Sequence, residues 1–566
     1  MTVTVAAAEP LAAGLRLSLA PLDYALLIIY FVFVIGIGFA LRRLVQTSTD
    51  FFLSGRSLPT WITGIAFISA NLGAIEILSM AANGAEYGIS TVHYYWIGAV
   101  PAMVFLGVVM MPFYYGSRVR SVPEYLLRRF DRKTHLVTAL IFVLASVLIA
   151  GVNLYALAFV LESLLGIPLA VAIIASALFV LSYILLGGLS SAIYNEVMQF
   201  FVILLALIPL IIVTLKETGG IHGLFDKLAT QGTTFTHPWA GTSLGGHNPF
   251  GDWIGIVFGL GFCLSFAYWT TNFAEVQRGM SAKDETAARL TPIVAAYPKV
   301  IIPLGTVIPG MAAILLIPGL GQAGGLTYND AIPALYNQYL PLGVLGVAVT
   351  GLLAAFMAGM AANVSSFNAV WTYDIWQNYL RPGRPDRYYL QVGRITTIVG
   401  VFIGIGTAFL AAGYSNIGNY FQALFSFFNV PIFVTFILGM FWRKAGRGSG
   451  FYGLIVGTVF SFGTWLLYKL GAIHFRSDIA ETQWGAIIGF LAGAAAMAIA
   501  TIWDTPKPLS ALRGLVWGYE VEDEGGLAAD EEGEAPARAP WYKSPLLWGI
   551  GALILCVLFY IYIEVA

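Results

Sequence analysis

From residue 21 to the C-terminus the chain is a succession of apolar runs separated by short polar turns. A run of about 20 residues lets a helix cross a hydrocarbon core about 30 Å thick. Fourteen runs qualify, near 21–41, 57–82, 91–115, 135–162, 167–186, 189–215, 251–275, 286–317, 342–376, 389–412, 416–441, 449–470, 484–503 and 546–564. Lipid offers no partner to backbone N–H and C=O groups, so an open chain crosses it only as helices. The expected fold is an all-α polytopic membrane protein with 14 transmembrane helices. Composition agrees: 58% of residues are hydrophobic and 10% charged, against about 25% charged in soluble domains. That balance excludes a soluble enzyme and makes lipid, not nucleic acid, the surrounding partner.

Placement of the basic residues orients the chain. Of 29 Lys and Arg, 23 fall in alternate connections, such as Arg42-Arg43, Arg118 to Lys133, Arg381 to Arg394 and Lys507 to Lys543. Five (Arg16, Lys216, Lys227, Lys469 and Arg476) lie on the other side, and Lys299 sits inside a span. The excess of Lys and Arg in cytoplasmic loops then puts both termini outside a plasma or inner membrane. The first 20 residues lack a cationic start and Arg42-Arg43 follow the first run, which reads as a retained span. Cys263 and Cys556 fall in apolar spans and are expected to pack, not to bridge. In the external loop 216–250, His222, His237 and His247 read as surface residues. The loop 504–545, with Asp530, Glu531, Glu532 and Glu534, reads as a disordered acidic linker or a docking element.

Two spans are interrupted by small and polar residues. In 57–82, Ser69-Ala70-Asn71-Leu72-Gly73 stands at mid-depth; in 251–275, Gly255, Gly259 and Gly261 precede Ser265 and Tyr268-Trp269-Thr270-Thr271-Asn272. Five spans begin with each, from opposite sides, so the two groups form an inverted pair. Paired interrupted helices in inverted halves point to a transport site near the midplane; as isolated features, such glycines are packing contacts. The boundaries expected are 1–56 for the external N-terminus and first accessory helix, 57–215 for the first repeat, 216–250 for the external loop, and 251–441 for the second repeat. Two accessory helices (442–503), the acidic loop (504–545) and a last helix (546–566) follow.

A charge at membrane depth is costly and marks function by default. Glu76, Glu196 and Lys299 qualify; each serves either to bind solute or couple ions, or to form an ion pair that only holds helices in register. Glu275 and Asp374 lie nearer the ends of their spans and read as interfacial anchors. Tyr268, Trp269 and Phe273 offer an aromatic face to a sugar ring. No phosphate-cradling loop, nucleophile elbow or metal-ligand cluster occurs, so no enzyme activity and no catalytic residue is expected.

Several motifs recur together: Leu53-Ser54-Gly55-Arg56-Ser57-Leu58-Pro59, the break at Asn71, Ser121-Val122-Pro123-Glu124-Tyr125-Leu126, Gly187-Gly188-Leu189-Ser190-Ser191-Ala192, Tyr268-Trp269 with Gln277-Arg278, and Phe436 to Trp442. As a set they resemble the sodium/solute symporter family, over roughly residues 50–470. The stretch from Tyr268 to Lys299 is most similar to its sodium/glucose and sodium/galactose branch. The resemblance implies a LeuT-type fold of five plus five helices in inverted repeat, alternating access, and a solute moved with inward sodium, without a further cofactor. It also implies that Asn71, Tyr268, Trp269 and Lys299 contact the sugar and that Tyr268 stacks on it as an inner gate.

Three departures qualify what the resemblance implies. Tyr95 stands where sugar members carry Glu in the third span, and Glu76 stands where they carry Gln or His; both are retained as solute-binding candidates. The family's sodium site uses backbone oxygens, here of Ser69, Leu72 and Ala355, and two adjacent serines. Those serine positions hold Ala358 and Gly359, which give a hard cation no hydroxyl. Coupling is then weakened, relocated to Glu196 or Glu76, with Ser365 and Ser366 two turns further along, or switched from sodium to protons. The expected activity is cation-coupled import of a small polar solute, a sugar such as glucose or galactose. Uptake of a carboxylate, amino acid or nucleobase through Lys299, and solute sensing without net transport, are the alternatives.

Overall fold

The computed structural model describes residues 19–41, 47, 51–52, 54–117, 119, 121–322, 325–411, 417–517 and 544–565. Arg16, Arg42, Arg43, Leu53, Arg118 and the acids Asp530, Glu531, Glu532 and Glu534 lie outside the described residues. Among the described residues the structure is helical, with two isolated β-bridges and no sheet. The principal helices are α1 (Pro21–Leu41), α2 (Thr60–Asn71), α3 (Ala74–Tyr87), α4 (Tyr94–Gly116), α5 (Arg132–Leu165) and α6 (Leu169–Thr218). They continue with α7 (Gly255–Thr271), α8 (Phe273–Met280), α9 (Glu285–Ile301), α10 (Val307–Leu316), α11 (Val344–Leu380) and α12 (Asp386–Ala411). The last four are α13 (Ile417–Phe441), α14 (Ser449–Lys469), α15 (Asp478–Trp503) and α16 (Pro545–Val565).

Eleven helices are long and apolar enough to cross a bilayer, and the bent pairs α2/α3 and α7/α8 raise the number to 13 among the described residues. The expected span 167–186 is represented by a shorter apolar segment, Leu169–Ser182, at the start of α6. The count of 14 is therefore not reached by length and composition alone. α6 kinks at Gly188, whose φ of 55° and ψ of −148° suit glycine only. A Cβ there would also lie 2.6 Å from the Phe51 ring and 2.8 Å from the Phe51 carbonyl oxygen. Gly188→Ala is expected to cost about 1–3 kcal/mol from backbone strain alone, read as a lower melting temperature of the detergent-purified protein.

Both interruptions are real breaks, with bends of 52° between α2 and α3 and 49° between α7 and α8. α2 ends at Leu72, and Gly73, in extended conformation, starts α3. The second break lies at Asn272, whose Oδ1 accepts the Ala274 N–H at 3.0 Å and so caps α8. Gly255, Gly259 and Gly261 do not break α7. They are close contacts: a Cβ on Gly255 or Gly259 would strike Gln483 of α15, and one on Gly261 would strike Ile97 of α4.

Burial sorts the helices. α11 is enclosed along nearly its whole length and packs on α2, α5 and α6, whereas α1 and α16 expose most of their apolar side chains. The loop after α15 begins as docked chain, correcting the expected disorder of 504–517. The Trp517 N–H donates to the Met440 carbonyl at 2.9 Å, and Lys507 Nζ donates to the Arg128 carbonyl at 2.6 Å. His222, His237 and His247 are exposed, and both cysteines are buried and unbridged.

Candidate functional site

The two broken spans meet α4, α9 and α13 around a cavity of about 50 Å³. One water needs about 10–15 Å³ of such space, so this cavity has room for a few waters. Its lining includes all six solute-binding candidates read from sequence: Asn71, Glu76, Tyr95, Tyr268, Trp269 and Lys299. Asn71 and Tyr268, 197 positions apart in sequence, thus meet because each half contributes a broken helix to the centre.

Lys299, buried in α9, organises the polar side. Its Nζ donates to Glu76 Oε1 at 2.6 Å and to Asn71 Oδ1. It also lies 5.0 Å from the Tyr95 ring centroid and 5.2 Å from that of Trp269, within cation–π range. Asn71 Nδ2 donates to the Tyr268 hydroxyl at 2.9 Å, and that hydroxyl donates to Glu275 Oε1 at 2.6 Å. One hydrogen-bonded chain therefore links α3, α2, α7, α8 and α9. Tyr95 OH meets Thr306 Oγ1 at 3.1 Å.

The apolar walls are aromatic. Tyr268 lies 5.1 Å from Trp269 and 4.6 Å from Phe425, between ring centroids, and Trp269 stacks on Phe67 at 5.7 Å. Phe273, expected on this face, instead packs against Phe142 and does not line the cavity. Glu275 and Asp374 are not interfacial anchors. Glu275 is buried beneath Tyr268, and buried Asp374 holds His135 Nε2 at 2.9 Å, whose Nδ1 meets the Tyr379 hydroxyl at 2.7 Å.

The ion-coupling candidates divide. Glu196 is fully buried on α6 and paired through both oxygens with Arg278 of α8, by a 3.2 Å contact from Nε and a shorter one from Nη2. Ser365 and Ser366 lie further along α11, and Ser366 Oγ donates to the Asn363 carbonyl at 3.0 Å. Glu196, Ser365 and Ser366 line neither this cavity nor its smaller neighbour. Ser69 is buried, and its hydroxyl finds no partner among the described residues. Leu72 lies at the break between α2 and α3. Gly359 and Ala355 lie against Gly73: a Cβ there would stand 3.4 Å from Gly359 Cα and 3.6 Å from the Ala355 carbonyl oxygen. Ala358 is buried beside them in α11.

Sequence reasoning missed Gln422 of α13, which lines the cavity with Phe421 and Phe425. A search for charges at membrane depth passes over a neutral amide; an amide inside an aromatic run was the available signal. Glu76 and Tyr95, read separately as departures, are explained together. The lysine has its carboxylate partner on α3 and a ring on α4.

The model of the sodium:solute symporter family matches residues 51–457. The sodium/glucose cotransporter of Vibrio parahaemolyticus is 28% identical, over 78% of this chain and 84% of that protein. The human sodium/myo-inositol cotransporter 2 is also 28% identical, over 79% of this chain and 70% of its own length. Among solved structures, a substrate-bound outward-open Na⁺-coupled sialic acid symporter superposes with a TM-score of 0.73 at 21% identity. That match covers 86% of this chain and 99% of the other, and shows the shared LeuT-type fold. The chain thus belongs to the sodium:solute symporter family.

Proposed function

We propose that this symporter imports a neutral polyhydroxy solute, a hexose or a cyclitol, with inward sodium. The observation that carries the reading is the 2.6 Å pair of Lys299 with Glu76. The lysine charge is already balanced within the cavity, so an anionic solute would leave net negative charge in a buried site, while a neutral one would not. Directed polar groups between aromatic walls are the usual means of holding such a solute. Names of the relatives, glucose and myo-inositol cotransporters, support the same class. The basic loops argue for cytoplasmic exposure, with both termini outside.

Uptake into proteoliposomes tests this. Labelled glucose, galactose and myo-inositol, each under an imposed sodium or proton gradient, are challenged with carboxylates, amino acids and nucleobases. The expected result is sodium-driven accumulation that only polyhydroxy compounds inhibit. Inhibition led by an anion would overturn the solute class; binding without accumulation or counterflow would indicate a sensor. Gln422→Ala is expected to raise the half-saturating solute concentration about tenfold, the value of one hydrogen bond lost to a buried polar partner.

A further inference from the structure

Between α5 and α12, over α11, runs an open groove of about 550 Å³. Its walls are Leu140 and Leu144 of α5 and Ile395, Val399 and Ile403 of α12, each between 45% and 61% exposed. Phe367 and Trp371 of α11, stacked with ring centroids 6.4 Å apart, form the floor. At one end the Thr407 hydroxyl donates to the Val147 carbonyl at 3.0 Å and is thereby satisfied within the protein. From Tyr388 to Thr407 the groove follows α12 for about 28 Å at 1.5 Å per residue. One leaflet contributes half of a hydrocarbon core about 30 Å thick, so a whole acyl chain fits along it.

The other end is built differently. Trp376 Nε1 donates to the Tyr388 hydroxyl at 3.2 Å, and Gln391 stands about one turn further along α12. Rings with a polar tip belong at the level of lipid headgroups. The segment 381–394, which leads into α12, carries Arg381, Arg384, Arg387 and Arg394 against one acid, Asp386. All four arginines are exposed, and among the described residues none is in an ion pair. From the opposite wall, Arg132 shares a face of α5 with Leu136, Leu140 and Val147 by helical spacing. Its guanidinium lies 5.9 Å from the Tyr379 ring centroid.

Apolar walls accept any acyl chain; the charge at the mouth selects among headgroups. Basic side chains left uncompensated at headgroup level favour an anionic lipid over a zwitterionic one. A second groove, of about 880 Å³ between α14 and α15, supplies the contrast. It is lined by Asp131, Asp504 and Lys133, with no positive excess. The complementarity is thus particular to the groove of α5 and α12.

We propose that this groove binds an anionic phospholipid. One acyl chain lies between α5 and α12, and the phosphate of the headgroup is held at the mouth by Arg132, Arg384 and Arg387. Both helices pack on α11, so the lipid clasps the pair that covers the most buried helix from that side.

The test is native mass spectrometry of the full-length protein in detergent, titrated with phosphatidylglycerol or phosphatidylcholine of identical chains, with melting curves alongside. Phosphatidylglycerol is expected to bind about tenfold or more tightly and to raise the melting temperature. Arg384→Gln with Arg387→Gln should weaken phosphatidylglycerol about thirtyfold and phosphatidylcholine by less than about twofold. Arg384→Lys with Arg387→Lys, which keeps the charge, should retain the preference. Val399→Trp fills the groove and should weaken both lipids. Arg443→Gln with Lys444→Gln, exposed cations of another loop, should change neither. Equal affinity of the parent for the two lipids would overturn the proposal. So would an equal loss in the variant at 443 and 444, which would mark general surface charge. Glycerol phosphate stabilising the protein as well as the lipid does would remove the groove from recognition and overturn it too. Dimers of the parent that Val399→Trp abolishes would give the groove to a second copy of the chain instead.

Discussion

Lys299→Met is expected to abolish solute uptake and to lower equilibrium solute binding by about a hundredfold or more, since two or more hydrogen bonds at about 1.5–3 kcal/mol each are lost with the charge. Lys299 Nζ donates to Glu76 and Asn71 and faces the rings of Tyr95 and Trp269. Methionine keeps the apolar stem and removes every donor. It also strands the Glu76 carboxylate, and breaking a buried pair from one side costs about 3–5 kcal/mol. Loss of uptake alone would therefore not separate binding from folding. Lys299→Met with Glu76→Gln does: a neutral amide replaces the stranded charge, so the melting temperature recovers while uptake stays absent. Recovery of uptake in the double variant would show that the pair serves structure only, and that solute is held elsewhere.

Much of the fold was legible because lipid reduces the alternatives. The apolar runs gave helix positions, and the polar stretches at Asn71 and Asn272 gave both breaks, since a polar backbone interruption is tolerated at depth only inside protein. The glycines of α7 misled because sequence records the absence of a side chain without its reason. Gly259 is a contact with the Gln483 carbonyl, and the turn itself is made by the Asn272 cap. In the same way, charge density in the loop 504–545 concealed its start, where Trp517 and Lys507 hydrogen-bond to distant backbone.

The residues that line the candidate cavity were legible one by one, but their wiring was not. Six side chains gather at one cavity because charges and polar aromatics at depth are rare enough to be noticed singly. Which of them pair is a fact of packing. Glu275 sat too near a helix end to look central, yet it receives the Tyr268 hydroxyl.

The second large effect is expected at Arg278 and Glu196, both fully buried between α8 and α6. Arg278→Met leaves a carboxylate in an enclosed space with no counter-charge, a loss of about 3–5 kcal/mol. It also removes the 2.5 Å bond from Nη1 to the Ala274 carbonyl in the turn that follows the second break. The melting temperature should fall sharply, and protein yield with it. Arg278→Met with Glu196→Leu replaces the pair by apolar side chains, which is often neutral in a buried setting, so most stability should return. The double variant also settles whether Glu196 couples ions. If the carboxylate is only the partner of Arg278, the stable double variant keeps the parent's sodium half-saturation. A stable double variant whose uptake has lost its sodium dependence would instead assign the ion to Glu196 on α6.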